Sequence, residues 1–173
     1  MQRGPVAVIF HRFGPYHLAR LSAAGARLPL VGIEVVRKDS TYAWDVAPGA
    51  NGFRRITLFD ADERLSTAAV AAELRRRLER EQPVAVAVPG WSAPWALAAL
   101  DWAVRRRVPA VLMGDSQHRD RPRYRLGESV KRRVARLCSA ALVGGSPHEE
   151  YAVGLGMPGS RIFSGYDVVD NRH

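Results

Sequence analysis

The chain has 173 residues and a formal net charge of +9, from 26 Lys and Arg against 17 Asp and Glu. An apolar share of 47% and a charged share of 25% describe one ordinary globular domain with a core of its own. The one cysteine, Cys138, excludes an internal disulfide, and no apolar run is long enough for a membrane span or a signal sequence.

The first predicted element is the near-continuous apolar run 6–10, a buried strand. A loop carrying His11, Arg12, Phe13 and Gly14 leads into a helix over 18–26, and Leu30-Val31-Gly32-Ile33-Glu34-Val35 reads as a second strand. Residues 38–53 form an irregular polar and aromatic stretch before a third strand over 56–59. A helix over 68–81 follows and is stopped by Pro83. Then come strand 84–88, helix 94–106, strand 110–113, helix 124–137 and strand 140–143. The last helix is expected to be capped by Ser146, with Pro147 at its first position and Glu149 three after the cap, a capping-box pattern. A short strand at 161–163 and an exit segment from Gly165 follow. Apolar strands alternating with helices predict a doubly wound, Rossmann-like α/β domain, a mostly parallel sheet with helices on both faces.

The basic charge is nearly all arginine, since Lys38 and Lys131 are the two lysines. The accompanying wealth of Ala, Gly and Pro points to GC-rich codons as its source. Of the basic runs 75–77, 105–107 and 131–133, two are expected to be solvated helix faces. On the helix over 124–137, Leu126, Val130, Val134, Leu137 and Cys138 recur at helical spacing, so the helix is expected to dock by that stripe. Glu128 and Lys131, three apart, can pair across one turn.

Parallel sheets bind ligands beyond the carboxyl ends of their strands. The candidates there are Gly14 and His17 after the first strand, Gly90 and Trp91 after the fourth, and Asp115 and Ser116 after the fifth. Arg123, Glu128 and Lys131 follow near the start of the next helix. Asp115 can accept several bonds from sugar hydroxyls at once, and Arg123 and Lys131 can face a phosphate. Trp91 and Trp95 have two readings, core packing or a sugar-stacking platform. The chain has no GxGxxG after its first strand and no GxxxxGK[ST], so dinucleotide and P-loop chemistry lack their backbone cradle. No histidine spacing resembles a ligand motif, so neither a metal nor a cofactor is expected. Ser92, Ser116 and Ser146 follow strands without a G-x-S-x-G elbow, which disfavours a small hydrolase.

Pro15-Tyr16-His17-Leu18-Ala19-Arg20, the Gly90-Trp91-Ser92 turn, and Asp115-Ser116 with Asp120, Arg123, Glu128 and Lys131-Arg132 form an ordered set. With Leu155-Gly156-Met157-Pro158 and Arg161-Ile162, this set resembles the N-terminal domain of family-4-like, retaining GT-B glycosyltransferases. The resemblance implies one half of a GT-B architecture: residues 1–173 as the acceptor-side domain, ending at the interdomain linker, with the C-terminal donor domain absent. It implies transfer of a sugar from a nucleotide-sugar donor to a glycan or lipid-linked acceptor once a donor domain is joined, and a chain inactive alone. The single cysteine fits a reducing compartment, so a cytoplasmic protein is expected, and the resemblance implies peripheral contact at the inner face of the membrane. Many relatives carry a histidine just after the strand that here ends at Met113. This chain has Asp115 in about that place, so no catalytic histidine is carried over and Asp115 becomes the catalytic candidate. Glu73 and Glu81 share the eight-residue spacing of the family's paired glutamates, but those belong to the second domain, and here both read as solvated charge. The alternative is a non-catalytic basic module on an anionic membrane surface or nucleic acid. Nucleic acid is the weaker partner, because the arginine runs lack interleaved aromatics to stack bases.

Overall fold

The computed structural model describes residues 4–38, 52–61, 65–117 and 125–168. Its strands are β1 (Val6–Phe10), β2 (Leu30–Lys38), β3 (Arg54–Ala61), β4 (Ala85–Pro89), β5 (Ala110–Gly114), β6 (Ala140–Val143) and β7 (Ile162–Ser164). Between them run α1 (Pro15–Gly25), α2 (Thr67–Glu81), α3 (Pro94–Arg106), α4 (Arg125–Leu137) and α5 (Ser146–Gly154). All the strands are parallel, in the order β3-β2-β1-β4-β5-β6-β7. This is the doubly wound architecture that the alternation of apolar runs and helices predicts. Most of the irregular stretch over 38–53 lies outside the described residues.

The chain order dictates which face each helix covers. From β1 the chain steps outward to β3, crosses back to β4, and then steps the other way to β7. Right-handed crossovers put α1 on one face and α2 to α5 on the other. The period-two alternation of the strands matches this: Ala7, Ile9, Val86 and Val88 pack with Leu74, Leu78, Ala99 and Ala103. Their neighbours Val8, Phe10, Ala87 and Met113 pack with Leu18 and Leu21. Among the described residues α1 is the one helix on its face, and a groove of about 410 Å³ remains beside it, lined by Leu28, Val111, Leu142 and Tyr166 among others.

Helix ends follow local chemistry with one exception. Ser66 caps α2, its hydroxyl accepting the Ala69 N–H at 3.1 Å. That helix ends on Gln82 in the left-handed region (φ 46°), just before Pro83. The cap of α5 is Gly145, not Ser146, and no capping box forms. The turn out of β6 through Gly144 and Gly145 is short, so Ser146 is already the first helical residue.

Two expectations about surface helices are amended. On α4 the apolar stripe docks in part: Cys138 lies in the main core with Val134 packed against it, while Val130 is 57% exposed and Leu137 51%. The helix also buries Ala135 against Tyr151 and Leu155 of the α5 region. The small Ala135 permits close approach on that side, and the polar groups Glu128 and Lys131 meet Tyr151 there, which fixes the rotation of the helix. On α2 and α3 the arginine runs are exposed, as expected, and most of their members also pair with acids. Arg75 and Arg105 pair with Asp101, Arg76 with Glu73, and Arg106 with Glu79. Glu81 bonds Arg54 on β3, lies near Arg77, and is only 9% exposed, so it ties α2 to the sheet.

Leu74 and Leu78 are fully buried between α2 and the sheet. Either Leu→Ala change is expected to cost about 2–5 kcal/mol, because the cavity left cannot fully collapse. Urea unfolding should show a lower midpoint at unchanged slope.

Candidate functional site at the strand-end edge

Because every strand points the same way, the loops after β1, β4, β5, β6 and β7 gather on one edge. The loop after β1 is held from below by a buried acid. Glu34 on β2 has no solvent exposure. Its Oε2 accepts the Phe13 N–H at 3.0 Å, and its Oε1 accepts from Arg55 Nε at 2.8 Å and from Thr57 Oγ1 at 2.7 Å. The Arg55 guanidinium also lies over the Phe13 ring, 5.5 Å from its centre. The acid on β2 thus joins β3 to the loop that leaves β1. This group is missing from the sequence-derived site, although the signal is there: an acid inside the apolar run 30–36 has to be paired once buried.

The next turn of the same junction is organised by His17. Its Nδ1 accepts the Gly14 N–H at 3.0 Å, and its ring packs 4.2 Å from the Phe10 ring. Burial, with Arg20 adding to it, pushes the imidazole down to about 4, so it stays neutral and keeps its acceptor. Gly14 and His17 therefore build the start of α1.

The exits of β4 and β5 lie side by side. Gly90 adopts φ +67°, which L side chains rarely take, and its N–H donates to Met113 O at 2.7 Å. Trp91 is partly buried with its ring edge-on to Tyr151 at 6.3 Å, and Trp95 stands 6.3 Å from the His11 ring. Asp115 and Ser116 are exposed on the rim. Arg123 lies outside the described residues. Lys131 donates to Glu128 Oε1 at 2.9 Å and to the Tyr151 hydroxyl at 3.2 Å, and the bond to Glu128 raises its pKa most.

The exits of β6 and β7 add groups that the sequence did not single out. A Cβ on Gly144 would lie 2.5 Å from Asp167 Oδ2 and 3.1 Å from His148 Nδ1, so any larger residue there would push the Asp167 carboxylate aside. His148 Nδ1 is buried and has no partner among the described residues. Arg20 of α1 donates to Tyr166 O and lies 3.9 Å from Asp167, pinning the segment after β7. Burial pushes the Tyr166 phenol up to about 12, with Arg20 opposing and Asp167 and Asp115 adding, so it remains a donor.

Gly90, Trp91, Ser116, His148 and Tyr151 share one crevice of about 30 Å³. That volume admits a water molecule or two and not a sugar ring. Asp115 stands beside it near Tyr166, Glu128 and Lys131 join through Tyr151, and Gly14 and His17 stay outside it. Among the described residues no group of three His, Cys, Asp or Glu side chains is placed to hold a metal ion. No described helix is long and apolar enough to cross a membrane.

No protein-family model matches the chain, and no curated protein matches it. Solved structures do. The chain is similar to UDP-N-acetylglucosamine 2-epimerase from Rickettsia bellii at 14% identity and TM-score 0.59, over 93% of this chain and 44% of the other. It is similar to UDP-GlcNAc 2-epimerase from Methanocaldococcus jannaschii at 13% identity and TM-score 0.58, over 92% and 45%. It is also similar to the Neisseria meningitidis enzyme bound to UDP-GlcNAc, at 12% identity and TM-score 0.55, over 92% and 45%. The likeness is one of fold: a Rossmann-like α/β domain of the kind found in these GT-B-like epimerases. The chain spans less than half the length of each.

Arg55→Met is expected to cost about 3–5 kcal/mol, since it leaves the fully buried Glu34 without its cation, and Glu34→Leu is expected to cost less because Arg55 is partly exposed. The double change should cost less than the sum of the two, as a thermodynamic cycle on urea midpoints would show. His17 adds a pH dependence of known sign. The unfolded chain takes up a proton as pH falls through 6.5, while the folded chain does so only near 4. Stability is therefore expected to fall as pH drops across that window. His17→Gln should flatten the slope, read as urea midpoints at pH values inside and above it.

Proposed function

We propose that this chain is the acceptor-side half of a glycosyltransferase that uses a nucleotide-sugar donor. The observation that carries the reading is the open edge. Polar and glycine-rich loops converge on it, yet its crevice of about 30 Å³ cannot enclose a sugar. Such an edge suits one wall of a cleft whose other wall is a second, donor-holding domain. The fold likeness to one half of enzymes named for a UDP-sugar supports the same arrangement.

In this reading the exposed Asp115 carboxylate accepts hydroxyls of the acceptor sugar, and it is the best candidate for the catalytic group. Ser116 and the Gly90 turn flank it, and Trp91 backs the crevice. Lys131 is held by Glu128 and reaches a phosphate only by exchanging that carboxylate for it, so the pair works as a latch. Arg123 follows in sequence as a further phosphate-facing cation. No cofactor or metal is assigned. A second reading, favoured by the names of the similar structures, is half of a sugar-nucleotide epimerase.

The chain alone should neither transfer sugar from, nor epimerise, a UDP-sugar. Joined to a donor-binding domain, it is expected to consume UDP-sugar only when an acceptor is present. Epimer formation without an acceptor would replace the first reading by the second. Asp115→Asn should lower kcat/KM about tenfold to a hundredfold, the weight of hydrogen bonds to a charged group. Because Asp115 is exposed, the melting temperature should stay the same. A lowered melting temperature with unchanged activity per folded molecule would remove Asp115 from the site.

A further inference from the structure

We propose that the exits of β1 and β4 hold a pocket for one uncharged aromatic ring of a small molecule. The strand order reverses between β1 and β4, and in parallel sheets the crevice at such a reversal is where ligands bind. A pocket of about 180 Å³ opens there. The loop after β4 separates it from the smaller crevice, since Trp91 lines the one and Trp95 the other.

The walls are Val35 and Val36 of β2, Val70 of α2, and Leu65, Pro94 and Trp95. Two residues bring polar side chains, His11 and Thr67, and among the described residues no Asp, Glu, Lys or Arg lines the pocket. His11 is fixed through its main chain, its carbonyl accepting the Val36 N–H at 3.0 Å. Its ring faces the Trp95 indole, with centres 6.3 Å apart and planes 23° from parallel.

An apolar cavity of about 150 Å³ is enough to hold benzene, so the volume suits one six-membered ring. Walls without charge disfavour an ion, which would shed its hydration with nothing to replace it. A sugar ring is disfavoured on the same ground, because its hydroxyls outnumber the polar groups around it. An acyl chain would give up its rotational freedom on entering. A flat, rigid ring loses none, and it meets the Trp95 and His11 rings in the offset or edge-on contacts that aromatic pairs prefer. Trp95 is then a stacking platform, for an aromatic group rather than a sugar.

The inference does not rest on the glycosyltransferase reading, since binding needs neither a donor nor a second domain. Benzyl alcohol is titrated into the full chain and followed by nuclear magnetic resonance. It is expected to bind with a Kd of about 1 mM or tighter, in keeping with its few atoms. The signals of the Trp95 indole N–H and the Thr67 methyl group should move. Cyclohexylmethanol, of similar size but not flat, should bind about threefold to tenfold more weakly. Benzoate, benzylammonium and glucose should bind more weakly than benzyl alcohol as well. Thr67 is exposed at the start of α2, so Thr67→Trp should close the pocket and leave the core intact. It should weaken benzyl alcohol binding by about tenfold or more, while Thr67→Ser leaves it unchanged. If Thr67→Trp does not fold, the signal shifts of the parent chain locate the site by themselves. Shifts confined to Val111 and Leu142, in the groove beside α1, would overturn the assignment. So would no binding, equal binding of cyclohexylmethanol, preferred binding of glucose or of either ion, or full binding by a folded Thr67→Trp chain.

Discussion

Glu34 has no access to water, and an ionised carboxylate at that depth is tolerable only with a cation and hydrogen-bond donors around it. The sequence supplies them from two separate segments, Arg55 and Thr57 on β3 and the Phe13 amide in the loop after β1. Satisfying that one group ties the middle of β2 to the first half of β3. It also sets the path by which the chain leaves β1 and so the position of the first loop on the candidate edge. The stacked Arg55 and Phe13 then close the layer over the carboxylate. A hydrophobic core would hold the sheet together without this device.

The same demand for compensation sorts the arginines. Where α2 and α3 lie against each other, acids are interleaved and the cations are neutralised locally; Glu79 alone accepts from both Trp102 and Arg106. Individually such exposed pairs are worth little. Their effect is to remove most of those two runs from the list of surfaces that attract anions. The net charge of +9 is therefore not spread evenly, and the α4 face carries an uncompensated share of it.

The candidate edge is shallow, and its groups are held in place by the loops themselves. At the edge, the buried His148 nitrogen and the Asp167 carboxylate crowd the Cβ position of Gly144. Polar atoms left in such a state are completed by water or by a ligand. The loops hold their shape through bonds such as Gly90 to Met113 and Gly14 to His17, so the groups on the rim are presented rather than folded away.

How far the sequence reaches can be stated residue by residue. Apolar runs such as 6–10 and 84–88, read against the helices between them, determined the class of fold, and the parallel sheet determined on which edge the loops after the strands gather. Periodicity could not determine which side of α4 is buried. Its apolar stripe was legible, but Ala135 and the contact of Glu128 and Lys131 with Tyr151 decided the rotation, and Tyr151 comes from α5. The sequence by itself carried the Gly90 turn, the exposed Asp115 and the Glu128–Lys131 pair, because each depends on neighbours in the chain. Glu34 with Arg55, His148 with Asp167, and Arg20 with Tyr166 depend on residues far apart in sequence. Spacing holds no record of distances set by strand register and helix crossing, so only the tertiary structure could bring those groups together.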